Sequence, residues 1–197
     1  MKKITLTCAH AIVKYLVAQK ILINGKKEPL FPGVFGIFGH GNVACLGQAL
    51  EENQKELPTY RGHHEQNMAL TGIGYARAKR RQQIFVATSS VGPGATNMVT
   101  AAAVAMSNRL PILLLPGDTY ANRMPDPVLQ QVEHFNNPGI SVNDAFKPVT
   151  RYFDRITRPE QIIQSFPAAV QTMLDPADCG PACISLCQDI QGQTFDY

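Results

Sequence analysis

Residues 83–118 read QIFVATSSVGPGATNMVTAAAVAMSNRLPILLLPGD, and their punctuation decides the fold. QIFVATSS (83–90) is an apolar, β-prone run that enters a glycine turn, and ATNMVTAAAVAMSNR (95–109) carries the small residues of a closely packed helix. PILLLPGD (111–118) is a continuous apolar run, as in strands buried on both faces. Strand, helix and strand joined by short turns make a crossover unit of a parallel sheet.

The same alternation continues on both sides. Toward the amino end, 64–80 reads as helix, LPTYRG (57–62) as extended, NVACLGQALEEN (42–53) as helix, GVFGIFG (33–39) as a short strand and residues 5–23 as helix. Toward the carboxyl end, 119–150 is irregular and rich in proline, VTRYFDRI (149–156) reads as strand, 158–174 as helix and PACISLCQDI (181–190) as a final strand. The expectation is one doubly wound α/β domain: a mainly parallel sheet of about six strands with helices on both faces. Residues 1–190 form that domain, and QGQTFDY (191–197) reads as the start of an interdomain linker.

Composition narrows the function. With 45% hydrophobic residues in 197, the chain can build one sizeable core. Its formal charge of +3, from 18 basic and 15 acidic residues spread along the chain, is too weak and dispersed for a nucleic-acid surface. No apolar run approaches the roughly 20 residues of a membrane span, so a cytoplasmic protein is expected. The cysteines at 8, 45, 179, 183 and 187 are odd in number and lack a CxxC pair, against a disulfide framework or zinc knuckle. On a strand Cys183 and Cys187 would share a face as buried apolar thiols.

Ligands of open parallel sheets bind at the carboxyl ends of the strands, and three turns there are unusual. In FGHGN (38–42), Gly39 and Gly41 let the backbone approach a ligand, His40 can titrate, and Asn42 can cap the next helix. SSVGPGATN (89–97) presents backbone N–H groups at a helix start, suited to an anion or the polar edge of a heterocycle. The third turn leads into TYRGHHEQNMALTGIGYARAKRR (59–81), where a helix beginning near His64 puts Glu65 on one face with Met68, Ala69, Gly72 and Ala76. Small residues on that face let another helix or a partner subunit come close. A carboxylate there is partly withdrawn from water, which suits it to hydrogen bonding and proton carriage.

In order, FGIFGHGN, HEQNMALTGIGYAR, ATSSVGPGATN, PILLLPGD and GPACISLCQDI resemble the amino-terminal pyrimidine-binding domain of thiamine-diphosphate enzymes of the acetolactate synthase and pyruvate oxidase type. FGIFGHGNV, SSVGPGA, LLLPGD and PDPVLQQVEHF are most similar to the members that hydrolyse a carbon–carbon bond of a cyclic 1,2-diketone in inositol catabolism. The resemblance implies that Glu65 is the glutamate that hydrogen-bonds N1′ of the aminopyrimidine and promotes removal of the thiazolium C2 proton. It places Phe38, Gly39, His40 and Gly41 in the loop over the pyrimidine, and Asn97 near the same ring. His40, Ser90, Val91 and Gln131 are the candidates for contact with substrate.

This chain has ATSSVGPGATN where common relatives have ATSGPGATN, so Ser90 and Val91 are extra and favour the diketone hydrolase over acetolactate synthase or pyruvate oxidase chemistry. The family's diphosphate and Mg²⁺ motif is absent, and PGDT (116–119) lacks its second glycine. The resemblance therefore implies no metal ligand in this chain. It implies half of a cofactor site, completed by the diphosphate-binding domain of a neighbouring subunit in a homo-oligomer, dimer or tetramer, and a chain inactive alone. A small subunit of a two-chain thiamine-dependent decarboxylase and a non-catalytic assembly module are the alternative expectations.

Overall fold

The chain runs β1 (Thr5–Thr7), α1 (Cys8–Ala18), β2 (Lys20–Ile23), β3 (Lys26–Pro29), β4 (Val34–Ile37), a π-helical turn (Val43–Gly47) into α2 (Gln48–Glu52), β5 (Thr59–Arg61) and α3 (Glu65–Ala78). It continues through β6 (Val86–Ser89), α4 (Pro93–Thr96), α5 (Val99–Asn108), β7 (Leu113–Asp118), a 3-10 segment (Val142–Val149), β8 (Tyr152–Ile156), α6 (Ile162–Leu174), β9 (Ala182–Cys187) and β10 (Thr194–Asp196). The computed structural model describes residues 3–122, 130, 132 and 136–197.

Six strands form one sheet in the order β5-β4-β6-β7-β9-β8, and every neighbouring pair in it is parallel. Alternation along the strands separates two cores. Val86, Leu113, Leu115, Ala182, Ile184 and Leu186 face α1, α2 and α6, whereas Ala87, Leu114 and Cys183 face α3 and α5. Both faces are covered, which is why the strands read as unbroken apolar runs. The register aligns Ile37 with Ser89 and Ser89 with Pro116. The turns that follow β4, β6 and β7 therefore meet at one edge.

Several local readings are corrected. Only Cys8–Ala18 of the expected helix over 5–23 is helical. Lys20–Ile23 pairs antiparallel with Lys26–Pro29 around Asn24 and Gly25, both at positive φ (51° and 78°). Asn-Gly is the preferred dipeptide for such a tight hairpin turn. Thr194–Asp196 also pairs antiparallel with Thr5–Thr7, so β1 and β10 form a second two-stranded sheet, and Gln191 is buried. Cys183 and Cys187 are both buried but belong to opposite clusters, because β9 ends at Cys187 and the chain turns there.

The small-residue stripe of α3 is taken up within the chain. Met68, Ala69, Gly72 and Ala76 are buried within this chain, and a Cβ on Gly72 would lie 3.1 Å from both Ile112 and Phe85. The stripe lets α3 settle onto its own sheet and α5; it is not a surface kept for a partner.

Candidate functional site

Glu65 is the first residue of α3, after an extended His64. Asn97, immediately after the short helix α4, donates from Nδ2 to Glu65 Oε2 at 2.9 Å. The other carboxylate oxygen faces Gly94, where an added Cβ would stand 3.1 Å away. Glycine at 94 thus keeps open one side of a carboxylate whose other oxygen is held, and Oε1 has no hydrogen-bond partner among the described residues. Such an arrangement presents an acceptor in fixed orientation to a donor from outside the chain.

The loop after β4 lies against the turn after β6. A Cβ on Gly39 would come 2.5 Å from Ser90 Oγ, and one on Gly41 would come 2.5 Å from Val91 Cγ1. Val91 also closes on Gly117, 3.0 Å from an added Cβ there. Ser90 and Val91 are therefore buried wedges at the sheet edge, accommodated only because three facing positions lack side chains. Ser90 Oγ donates to Gln130 Oε1 at 3.2 Å.

Asn42 holds the loop internally. Its Oδ1 accepts from the Gly39 N–H at 3.0 Å and its Nδ2 donates to Thr88 Oγ1 at 3.1 Å. Expected to cap the following helix, the side chain makes no capping bond; it ties the loop back to β6. The Phe38 ring lies against Gly36 and Gly47 and packs on the larger core. His40 Nε2 is shielded from solvent and has no hydrogen-bond partner among the described residues.

Of the residues singled out by sequence, the structure brings Glu65 and Asn97 together and, separately, sets Gly39 and Gly41 against Ser90 and Val91. The turn 90–94 joins the two groups. Gln131 lies outside the described residues. Sequence reasoning missed Gln188 and Gln191, which follow the carboxyl end of β9, a position to which the strand-end rule also applies. Burial pushes the Cys45 thiol up, and burial, opposed by a Tyr197 hydrogen bond, takes Cys8 up to about 12.

Gly92 shapes the turn. Its φ of 66° and ψ of −124° are open to glycine and strained for other residues, and a Cβ there would overlap the Gln130 carbonyl. Gly92→Ala is expected to cost roughly 1–3 kcal/mol, a fall of roughly 2–12 °C in Tm for a domain of this size. Thermal unfolding beside Gly74→Ala, where nothing lies within 4 Å, checks this, and the control is expected not to lose stability.

Residues 27–137 match the family model for the thiamine pyrophosphate enzyme, N-terminal TPP binding domain. The chain belongs to that family. Over 197 residues it is 52% identical to a 3D-(3,5/4)-trihydroxycyclohexane-1,2-dione hydrolase of Geobacillus thermodenitrificans, covering 100% of this chain and 31% of the relative. Proteins of the same name from Bacillus subtilis (50% over 196 residues) and Halalkalibacterium halodurans (51% over 197) are covered to the same extent. The chain thus spans about a third of the length of the curated relatives it matches.

The residues present suit the pyrimidine half of the cofactor, since a carboxylate with one free oxygen lies beside a glycine that a Cβ would crowd. Among the described residues no three His, Cys, Asp or Glu side chains gather as a metal site, and no helix is long and apolar enough to cross a membrane.

Proposed function

We propose that this chain is the pyrimidine-binding domain, residues 1–190 with 191–197 leading toward a linker, of a thiamine-diphosphate-dependent hydrolase. The complete protein would open trihydroxycyclohexane-1,2-dione to 5-deoxyglucuronate in the cytoplasm. The observation that carries this reading is the match over the whole chain to hydrolases of that name, together with Glu65 held by Asn97 beside Gly94.

Bound thiamine diphosphate supplies the carbon nucleophile for carbon–carbon cleavage. Glu65, when protonated, would donate from Oε1 to a nitrogen of the pyrimidine ring and so pass it a proton, while Asn97 holds Oε2 and so fixes the carboxylate plane. Gly39 and Gly41 would let the loop backbone lie close over the ring, with Phe38 behind it. His40, whose Nε2 has no partner among the described residues, would meet a substrate hydroxyl or carbonyl. Ser90 and Val91, which fill the floor between the two loops, would set the shape available to the diketone, with Gln131 nearby. Diphosphate and Mg²⁺ would be held by the diphosphate-binding domain of a neighbouring subunit, making a homo-oligomer, dimer or tetramer, the catalytic form.

Calorimetry with Mg²⁺ and thiamine diphosphate tests the half-site directly. The 197 residues alone are expected to bind weakly and turn over nothing, and the chain extended to the full length of its relatives to bind and cleave. Tight binding by the 197 residues would instead require a complete cofactor site within them.

A further inference from the structure

Against the carbonyls of the loop after β4 lies the turn that follows β9. Gln191, 2% exposed, donates from Nε2 to the Gly41 carbonyl at 2.7 Å and to the Leu186 carbonyl at 3.3 Å. Gln188 donates from Nε2 to the His40 carbonyl at 2.8 Å. Two consecutive carbonyls of the loop are thus held by side chains about 150 residues distant in sequence. The Oε1 atoms of both glutamines are buried without a hydrogen-bond partner among the described residues. Leaving such a group unpaired opposes folding, so what each side chain contributes is its donor.

We infer that Gln191, assisted by Gln188, is a positioning residue for His40. The inference rests on the reading above, in which the loop 39–41 borders the reacting centre. Gln191 is itself anchored, because its own carbonyl accepts from the Ala9 N–H at the start of α1 at 3.0 Å. The loop it grips has no slack: Val91 presses on Gly41, and the Gly41 carbonyl oxygen would stand 3.0 Å from a Cβ on Gly117. Among the described residues nothing bonds the imidazole of His40 at Nε2 to orient it, so its position follows that of its backbone. An amide is suited to this task as a neutral donor that adds no charge beside the substrate. A loop displaced by about 1 Å can lower turnover roughly 10²-fold without touching the chemical groups.

The test uses the complete protein with Gln191→Leu, Gln188→Leu and Gln191→Glu. In Gln191→Leu, kcat/KM for the cyclic diketone is expected to fall about 10- to 100-fold, several-fold more than the affinity for thiamine diphosphate. Gln188→Leu is expected to give a smaller loss. Gln191→Glu places a carboxylate against two carbonyl oxygens and recovers activity as pH falls and the carboxyl gains a proton to donate, a profile that a merely space-filling residue would not produce. Hydrogen exchange gives a readout independent of substrate. The N–H groups of Asn42 and Val43 both donate to the Gly39 carbonyl, and they are expected to exchange faster in Gln191→Leu while the α5 amides are unchanged. Wild-type kcat/KM in Gln191→Leu, or unchanged loop exchange, would overturn the inference, as would equal loss of Tm, cofactor affinity and activity. Faster loop exchange in a protein whose wild type does not cleave the diketone would retain the clamp and reject the proposed reaction.

Discussion

Glu65→Gln in the complete protein lowers kcat for the cyclic diketone by roughly 10²–10⁴-fold, the range associated with a positioned proton-transfer group, while thiamine diphosphate still binds. Glutamine preserves the shape of the side chain and keeps an oxygen to which Asn97 can donate, so the contact now at 2.9 Å survives. What is lost is the proton that a carboxyl group can hold and pass on. The measurement is kcat beside a calorimetric Kd. Equal weakening of cofactor binding and turnover would mean that Glu65 serves only to hold the ring, and an unchanged kcat would remove it from the proton path.

Arg155→Met lowers the stability of the domain by about 3–5 kcal/mol, the cost of leaving a buried charge without its partner, or roughly 6–20 °C in Tm. The reason lies at the carboxyl end of β7. Asp118, with a side chain only 1% exposed, receives Arg155 Nε at 2.7 Å and hydroxyl donors from Ser141 and Ser185. The same guanidinium reaches Asp144 at 2.8 Å, which ties the 3-10 segment to β8. Asp118→Asn combined with Arg155→Met removes both charges and is expected to cost less than the sum of the single changes. Strict additivity in thermal unfolding would show that the pair does not interact. Because Asp118 adjoins Gly117, which lies against Gly41 and Val91, this network also backs the floor of the candidate site.

Local pattern was enough for the sheet. β6, α5 and β7 lie within the stretches read from residues 83–118 because a continuous apolar run between turn residues has few alternatives once it must be buried on both faces. The same holds for α3, whose start at Glu65 and small-residue stripe were both legible. The hairpin at 20–29 was overlooked although Asn24-Gly25 announces it, because the apolar spacing before it also fits a helix. The β1–β10 pair could not be read locally, since strands of three residues carry almost no periodicity and their partners are some 190 residues apart.

The candidate site divides in the same way. Residue types at strand ends, including the glycines at 39, 41 and 94 and the carboxylate at 65, are marked by sequence because backbone approach and charge are properties of single residues. Which of them touch is a matter of register. That Asn97 holds Glu65, that Val91 wedges Gly41, and that Gln191 grips the same loop depends on β4, β6, β7 and β9 ending at one edge. Hydrogen bonds between residues 32 and 150 positions apart exist only after the parallel sheet has closed. The amino-acid order carried the chemistry and the sheet; folding alone decided that α3 turns its small residues inward, leaving Glu65 at the rim with one oxygen free.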